Sequence, residues 1–182
     1  PKIQYNANSI SKIINITSMG ALKIAKKLDK EGVISSTQLG KAKFYNLNLN
    51  KSYVKDYISF LLKREAEQAN SYVRMWVNEL RNKINNADVI ILFGSILKKG
   101  EDANDIDVLL VTNNKNFPKL KEEVNKINLL SIKKLHPLYQ SLEDLKNNIS
   151  KSDSVIINAI NGIVVLGSEQ LTELIKNDTF KK

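Results

Sequence analysis

Asp105 and Asp107 are the residues of this 182-residue sequence whose type and spacing point most directly to chemistry. They stand one residue apart at the start of an apolar run, where a charged side chain is seldom placed without a partner. At positions i and i+2 of a strand, both carboxylates point to the same face, about 7 Å apart along the strand. Two converging carboxylates supply the oxygen ligands that a hard divalent cation such as Mg²⁺ prefers, so the pair predicts a metal site.

A second group of residues, beginning with Gly94 and Ser95, is of the kind that contacts phosphates. A Gly-Ser pair just before a turn or helix start lets backbone N–H groups approach phosphate oxygens closely. Lys98 and Lys99 follow in the same loop, where they could pair with the β- and γ-phosphates of a nucleotide or equally face solvent. Together with the aspartates, these residues predict a metal–nucleotide site for phosphoryl transfer.

Two apolar runs are expected to form the strands that position these side chains. Val89–Phe93 is continuously apolar, as in a strand buried on both faces, and Gly94 ends it. Ile106–Val111 is a second buried strand, interrupted at its start by Asp107. The structural alternative is a pair of aspartates that only caps a tight strand start. The Gly-Ser pair between the two strands favours the functional interpretation.

This segment closely resembles the nucleotidyltransferase superfamily that includes DNA polymerase beta. Members carry a hydrophobic residue, Gly and Ser, then nine to thirteen residues, then Asp–hydrophobic–Asp–hydrophobic. Here Phe93-Gly94-Ser95 is followed by nine residues and by Asp105-Ile106-Asp107-Val108. Gly100 stands where minimal prokaryotic members often have a glycine, whereas Asn104 replaces their usual Ser. The resemblance implies that residues 87–182 form a minimal nucleotidyltransferase domain, with a mixed β-sheet flanked by helices.

The same resemblance implies roles for individual residues. Asp105 and Asp107 would be catalytic and would bind the Mg²⁺ or Mn²⁺ that activates the attacking hydroxyl and steadies the leaving pyrophosphate. Gly94 and Ser95 would hold the triphosphate of the NTP substrate. Because the sequence has no cysteine and a single histidine, oxygen-ligated Mg²⁺ or Mn²⁺ is favoured over zinc.

Active members of the superfamily use a third carboxylate on a later strand. The next strand is expected at residues 129–135, which contain no Asp or Glu. His136 follows, near the place of the third carboxylate. It could bind metal or act as a base, although a lone histidine before proline is more often structural. Enzymatic activity therefore stays open, and the chain could bind nucleotide without turning it over.

Composition excludes several other classes of protein. The sequence is 42% hydrophobic, which supports a folded core, and the absence of cysteine excludes disulfide scaffolds, cysteine zinc sites and thiol nucleophiles. No apolar run reaches the roughly 18 to 20 residues of a membrane span, and the first 30 residues lack signal-peptide features. We expect a cytoplasmic protein without a membrane partner.

The net charge of +9 lies entirely in residues 1–86, which indicates two modules with different partners.

Residues 1–50 have the pattern of helix, turn, helix and hairpin. Ile10, Ile13 and Ile14 mark a first apolar helix face, and Thr17 or Ser18 can cap the next helix. That helix places apolar residues at i, i+3, i+4 and i+7 and ends at Gly32. Two β-prone runs, residues 33–38 and 43–49, flank a turn at residues 40–41. Residues 51–86 are expected to be a connecting helical segment, either one long helix or two with a bend near Ala69.

The order of elements in residues 1–50 resembles a winged helix-turn-helix domain. The resemblance implies that the second helix enters the major groove of DNA while the hairpin, or wing, lies along the backbone. It places Ser18, Met19, Lys23 and Lys27 toward the groove and Lys41 and Lys43 on the wing. Lysines there would attract phosphates without specifying sequence. The alternative is a solvated helix face that contacts no nucleic acid, or a winged fold that mediates homodimerisation.

The sequence thus predicts an α+β protein in three segments: residues 1–50, 51–86 and 87–182. Its predicted function is Mg²⁺-dependent transfer of a nucleoside monophosphate from an NTP to a hydroxyl acceptor, with a DNA or RNA partner for the N-terminal module. The alternative function is a DNA-binding transcriptional regulator whose nucleotidyltransferase-like module is a weak or inactive sensor.

Overall fold

A computed structural model describes residues 5–179, with side chains described through residue 175. The protein is of the α+β class, with helices and two separate sheets. Backbone contacts divide it into two compact units between Tyr57 and Ile58. Among the described residues, no helix combines the length and the apolarity needed to cross a membrane.

The first unit begins with a short strand, β1 (Tyr5–Asn6), followed by two helices, α1 (Ala7–Ile13) and α2 (Ser18–Lys30). Thr17 is the N-cap of α2, as one of the two sequence-based options predicted, and its Oγ1 accepts a hydrogen bond from the Gly20 N–H at 3.1 Å. The helix ends at Lys30, with Glu31 as its C-cap residue, because Gly32 takes a φ of +72°, a value that favours glycine.

A hairpin completes this unit. Strands β2 (Ile34–Leu39) and β3 (Ala42–Leu47) pair antiparallel from Leu39 opposite Ala42, so residues 40 and 41 form the predicted two-residue turn. Gly40 adopts the positive φ of +59° that such turns favour. Strand β1 pairs with the other side of β3, which gives the sheet order β1-β3-β2.

Residues 51–86 form two helices, α3 (Ser52–Gln68) and α4 (Ser71–Lys83). The break falls near Ala69, which was one of the two possibilities predicted from the sequence. Asn70 begins α4 because its Oδ1 accepts a hydrogen bond from the Val73 N–H at 2.9 Å. The apolar residues along one side of α4 and at its C-cap are buried: Val73, Trp76, Val77, Leu80 and Ile84.

The second unit is built on a four-stranded mixed sheet with the order β6-β5-β4-β7. Only β5 and β6 are parallel, while β4 pairs antiparallel with β5 and with β7. In chain order after α4, the elements are β4 (Val89–Phe93), α5 (Ile96–Lys99), a 3₁₀ turn (Gly100–Asp102), β5 (Ile106–Val111), α6 (Phe117–Leu130), β6 (Leu135–Gln140), α7 (Leu142–Ser150), α8 (Ser154–Ile160), β7 (Ile163–Leu166) and α9 (Ser168–Thr179).

Alternate residues of the central strands supply two apolar clusters, one on each face of the sheet. Ile90 and Leu92 of β4 belong to a cluster that includes residues of α4 and α6. Val89, Ile91 and Phe93 belong to the other, together with residues of α7, α8 and α9. The buried strands predicted at residues 89–93 and 106–111 are therefore confirmed, and helices cover both faces.

The strand predicted at residues 129–135 is wrong. Helix α6 continues through Leu130, and the following strand begins only at Leu135 and extends to Gln140. The apolar residues that suggested a strand, Leu129, Leu130 and Ile132, are 82%, 79% and 98% exposed. His136 consequently lies within β6 instead of following it.

Candidate functional site

The two aspartates singled out by their spacing converge in the second unit with a third group, His136. Each of the three side chains offers one ligand atom, and these atoms all lie within 4.8 Å of one another. Asp105 immediately precedes β5 and Asp107 is its second residue. The period of two along a strand puts both carboxylates on one face, as the sequence predicted.

His136 reaches this cluster through the pairing of two strands. The parallel register of β5 and β6 places His136 directly opposite Asp107. Its Nδ1 lies 3.2 Å from Asp107 Oδ1, a separation at which one of the two ring tautomers donates a hydrogen bond to the carboxylate. The imidazole is 75% exposed and the Asp107 side chain only 24% exposed. The cluster is therefore open to solvent on the histidine side.

Gly94 closes the cluster from the neighbouring strand. Phe93, the last residue of β4, pairs with Asp107, and the chain then turns at Gly94 with a φ of +80°. A Cβ built on Gly94 would overlap the Asp107 carboxylate and would lie 2.8 Å from its Cγ. Any side chain at position 94 would displace the carboxylate, so the glycine of the Gly-Ser pair makes room for Asp107.

The other residues predicted to bind nucleotide lie on the short helix after Gly94. Ser95 is its N-cap residue and is half-buried, and its hydroxyl is not used to cap a described N–H group of α5. Lys98 and Lys99 are exposed in the same helix. Their exposure fits both sequence-based alternatives, since a solvent-facing lysine can also receive a phosphate group.

Two hydrogen bonds hold the loop before β5 against the chain before β6. Lys133 donates from Nζ to the carbonyl of Ala103 at 2.6 Å, and the Ile106 N–H donates to the carbonyl of Lys134 at 3.0 Å. Because one bond lies on each side of Asp105, they fix the position of this aspartate relative to the strand that carries His136.

In the first unit, the residues predicted to contact nucleic acid are exposed. Ser18, Lys23, Lys27 and Lys41 all face solvent. The Nζ of Lys27 also lies 4.0 Å from Oε1 of Glu31, four residues further along the chain. Surface pairs of this kind contribute little to stability and leave the ammonium group accessible.

Lys43 forms a closer ion pair than Lys27 does. Its Nζ lies 3.1 Å from Asp29 Oδ2, which also accepts a hydrogen bond from the Ser36 hydroxyl at 2.8 Å. The Ser36 hydrogen bond, followed by that of Lys43, holds the pKa of Asp29 below its ordinary value. Lys43 is thus partly neutralised on the hairpin, whereas Lys41 at the hairpin turn is not part of this pair.

His136 was considered from the sequence but not assigned to the site. The signal against it was its setting as a lone histidine before Pro137, where a histidine is more often structural than a ligand; proline is also unusual inside a strand. β6 is an edge strand, and an edge strand tolerates proline when its nitrogen faces away from the neighbouring strand. A period-two test starting at Leu135 would have placed His136 on one face of such a strand.

Comparisons with known proteins do not assign the chain to a family. No family model matches the chain, and neither curated proteins nor solved structures give a match.

Proposed function

We propose that residues 87–182 form a nucleotidyltransferase-type domain that binds a divalent cation and an NTP and transfers a nucleoside monophosphate to a hydroxyl acceptor. The observation that carries the proposal is the meeting of Asp105 and Asp107 beside Gly94, at the facing ends of two antiparallel strands. Their order and spacing along the chain are those of the superfamily that the sequence resembles.

The donor set fits the cation that this function needs. Asp105 and Asp107 would hold Mg²⁺ or Mn²⁺ through carboxylate oxygens, the ligands that both ions accept. When bound, the cation would act as a Lewis acid on the reacting phosphate and acceptor oxygens. Gly94 keeps the site free of a side chain, and the backbone at Ser95 would contact the triphosphate, with Lys98 and Lys99 neutralising its charge.

The chemical step that these residues would support is an in-line displacement. The acceptor oxygen forms a bond to the α-phosphorus, and the bond from that phosphorus to the oxygen bridging the β-phosphate breaks. Pyrophosphate leaves, and the acceptor proton passes to solvent. Because the transferred group is highly charged throughout, positioning and charge neutralisation are the main tasks of the protein.

The experiment is transfer of label from α-³²P-labelled NTPs in the presence of Mg²⁺ or Mn²⁺. Candidate acceptors are the protein itself, other proteins, RNA and small hydroxyl compounds. We expect transfer by the wild type, its loss in Asp105→Asn and Asp107→Asn, and its retention in Asp102→Asn. Asp102 is a suitable control because it is an exposed acid on the adjacent 3₁₀ turn. Equal labelling by the wild type and both site variants would reject the proposal.

A second candidate function is a DNA-binding regulator whose second unit senses nucleotide without turning it over. Two observations favour it: the lysines of α2 are exposed, and the candidate metal cluster contains two carboxylates where active members of the superfamily have three. Salt-dependent binding of duplex DNA, together with NTP binding but no label transfer, would support this function. Binding of DNA that does not change between low and moderate salt would reject it.

A further inference from the structure

We propose that His136 is the third ligand of the metal site and that it makes the site select Mn²⁺ over Mg²⁺. The inference rests on the metal site of the proposed function, but not on catalytic turnover. It concerns one imidazole nitrogen and the two carboxylates beside it, Asp105 and Asp107.

The distances are those of donors that can share one ion. An ion bound at about 2.1 Å to each donor separates neighbouring donors by about 3 Å and opposite donors by about 4.2 Å. His136 Nδ1 and Asp107 Oδ1 are 3.2 Å apart, close to the spacing of neighbouring donors. No separation in the cluster exceeds 4.8 Å, which is at most about 0.6 Å more than that of opposite donors, a difference that side-chain rotation can supply.

The backbone holds these donors in place without a metal. The parallel register fixes His136 opposite Asp107. Because Gly94 has no side chain, the Asp107 carboxylate can occupy its place in the cluster. The imidazole is largely exposed, so an ion can reach its nitrogen from solvent. His136 therefore satisfies the two conditions for a ligand: a fixed attachment point and access for the ion.

The nature of the donors sets the preference between cations. Mg²⁺ favours oxygen ligands and gives up its water molecules reluctantly, so exchanging one of them for an imidazole gains little. Imidazole nitrogen binds first-row transition ions more strongly, while Mn²⁺ still accepts carboxylate oxygen readily. A set of two carboxylates and one imidazole therefore suits Mn²⁺ better than a set of three carboxylates does.

Pulsed EPR of Mn²⁺ added alone to tag-free protein tests the ligand directly. His136 is the only histidine in the sequence, so an imidazole-nitrogen signal can come from no other residue. We expect ¹⁴N modulation in the wild type, its replacement by a ¹⁵N pattern when only histidine is ¹⁵N-labelled, and its loss in His136→Ala. Bound Mn²⁺ without a label-sensitive nitrogen signal, or no binding of Mn²⁺ by the folded wild type, would overturn the inference. The first result would leave His136 as a hydrogen-bonding partner of Asp107.

Metal affinities test the selectivity. Loss of the free-Mn²⁺ EPR signal measures Mn²⁺ binding, and competition measures Mg²⁺ binding. We expect His136→Asp to lower the ratio of Mn²⁺ to Mg²⁺ affinity by about tenfold, because it replaces the imidazole that favours a transition ion with a carboxylate that both ions accept. Asp102→Asn should leave the ratio unchanged.

The fluorescence of Trp76, which lies in the core of the second unit, verifies that each variant is folded. If His136→Asp does not fold, His136→Gln replaces it, with the same expected fall. An unchanged ratio in a folded variant overturns the proposed selectivity.

The two proposals fail in different ways. Nitrogen coupling to Mn²⁺ without any label transfer rejects the transferase function and keeps His136 as a ligand. Label transfer without nitrogen coupling keeps the transferase function and rejects the histidine ligand.

Discussion

Gly94 lies so close to Asp107 that a Cβ on residue 94 would stand 2.8 Å from the Asp107 Cγ. The contact joins the end of β4 to the start of β5, where Phe93 and Asp107 are paired. The φ of +80° at Gly94 adds a second reason for glycine, since other residues rarely adopt it. One residue thus meets two demands, a left-handed turn and the close approach of a carboxylate.

We predict that Gly94→Ala destabilises the second unit more than Gly100→Ala does. Gly100 also has a positive φ, +56°, but a Cβ there would meet nothing within 4 Å. Gly100→Ala should therefore cost only the backbone strain, about 1–3 kcal/mol. Gly94→Ala should cost about 1–3 kcal/mol more, because it also forces Asp107 aside. Urea unfolding followed by Trp76 fluorescence measures both.

A double variant isolates the overlap at Gly94. Asp107→Ala removes the carboxylate, so Gly94→Ala should cost less in the Asp107→Ala background than in the wild type. Some cost should remain, because the Asp107 Cβ also lies 3.0 Å from the Cβ position of residue 94. If Gly94→Ala lowers the unfolding free energy equally in both backgrounds, the overlap with the Asp107 carboxylate contributes nothing to that loss.

Glu123 is predicted to stabilise the chain that leads into β4. Its Oε2 accepts from the N–H groups of Asn85 and Asn86 at 3.1 and 3.2 Å, and its Oε1 accepts from Asn86 Nδ2 at 2.7 Å. Hydrogen bonds to a charged group contribute about 1.5–3 kcal/mol, so Glu123→Ala should lower the unfolding free energy by about that amount. The exposed neighbour Glu122 is the control, with an expected change within about 0.5 kcal/mol. Equal effects of the two variants in urea unfolding would contradict this role.

The Asp29 carboxyl is predicted to titrate below its ordinary value of 3.8. The Ser36 hydrogen bond is the largest cause, and Lys43 acts through both a hydrogen bond and its charge, so Ser36→Ala and Lys43→Ala should each raise the pKa of Asp29. A pKa that is lower in the folded state stabilises the first unit above the unfolded value, and this stabilisation is lost as pH falls through the folded pKa. Carboxyl ¹³C NMR of residue 29 measures the titration. An unchanged pKa of Asp29 in either variant would contradict the role given to that partner.

Duplex DNA binding by the first unit is predicted to depend on the lysines of α2. Lys23→Ala with Lys27→Ala should weaken binding and reduce the slope of log affinity against log salt by up to about 2, because each phosphate contact contributes about 0.9. Lys119→Ala with Lys126→Ala, on the exposed face of α6, is the charge-matched control. If both pairs reduce the slope equally, binding follows net charge and the α2 surface is not the interface.

Local pattern was enough to predict the parts of the site that lie on neighbouring strands. The period of two puts Asp105 and Asp107 on one face, and the turn signal at Gly94 ends the preceding strand where the structure ends it. These relations depend on residues close together in sequence. The same holds for the hairpin turn at Gly40, whereas Thr17 as the cap of α2 and the break near Ala69 were each one of two predicted possibilities.

The position of His136 could not be predicted in the same way, because it depends on a parallel pairing across a helical crossover. Which residue lies opposite Asp107 is decided by where α6 ends, and the apolar residues Leu129, Leu130 and Ile132 hid that boundary. Their exposure shows that an apolar run need not be buried. Burial of such a run is the assumption that led to a strand being predicted there.

The outer side of β6 offers few backbone groups to a further strand. The carbonyls of Lys134 and Gln140 face β5, so by alternation Leu135, Pro137 and Tyr139 direct their backbone groups outward. Asn128 bonds both backbone groups of Leu135, at 2.6 and 3.2 Å, and Pro137 has no N–H to offer. The Gln140 side chain donates to the carbonyl of Tyr139 at 2.9 Å. Edge strands blocked in this way resist pairing with other chains. A peptide that reaches His136 would therefore gain few main-chain hydrogen bonds from this edge and would depend on side-chain contacts over the sheet face.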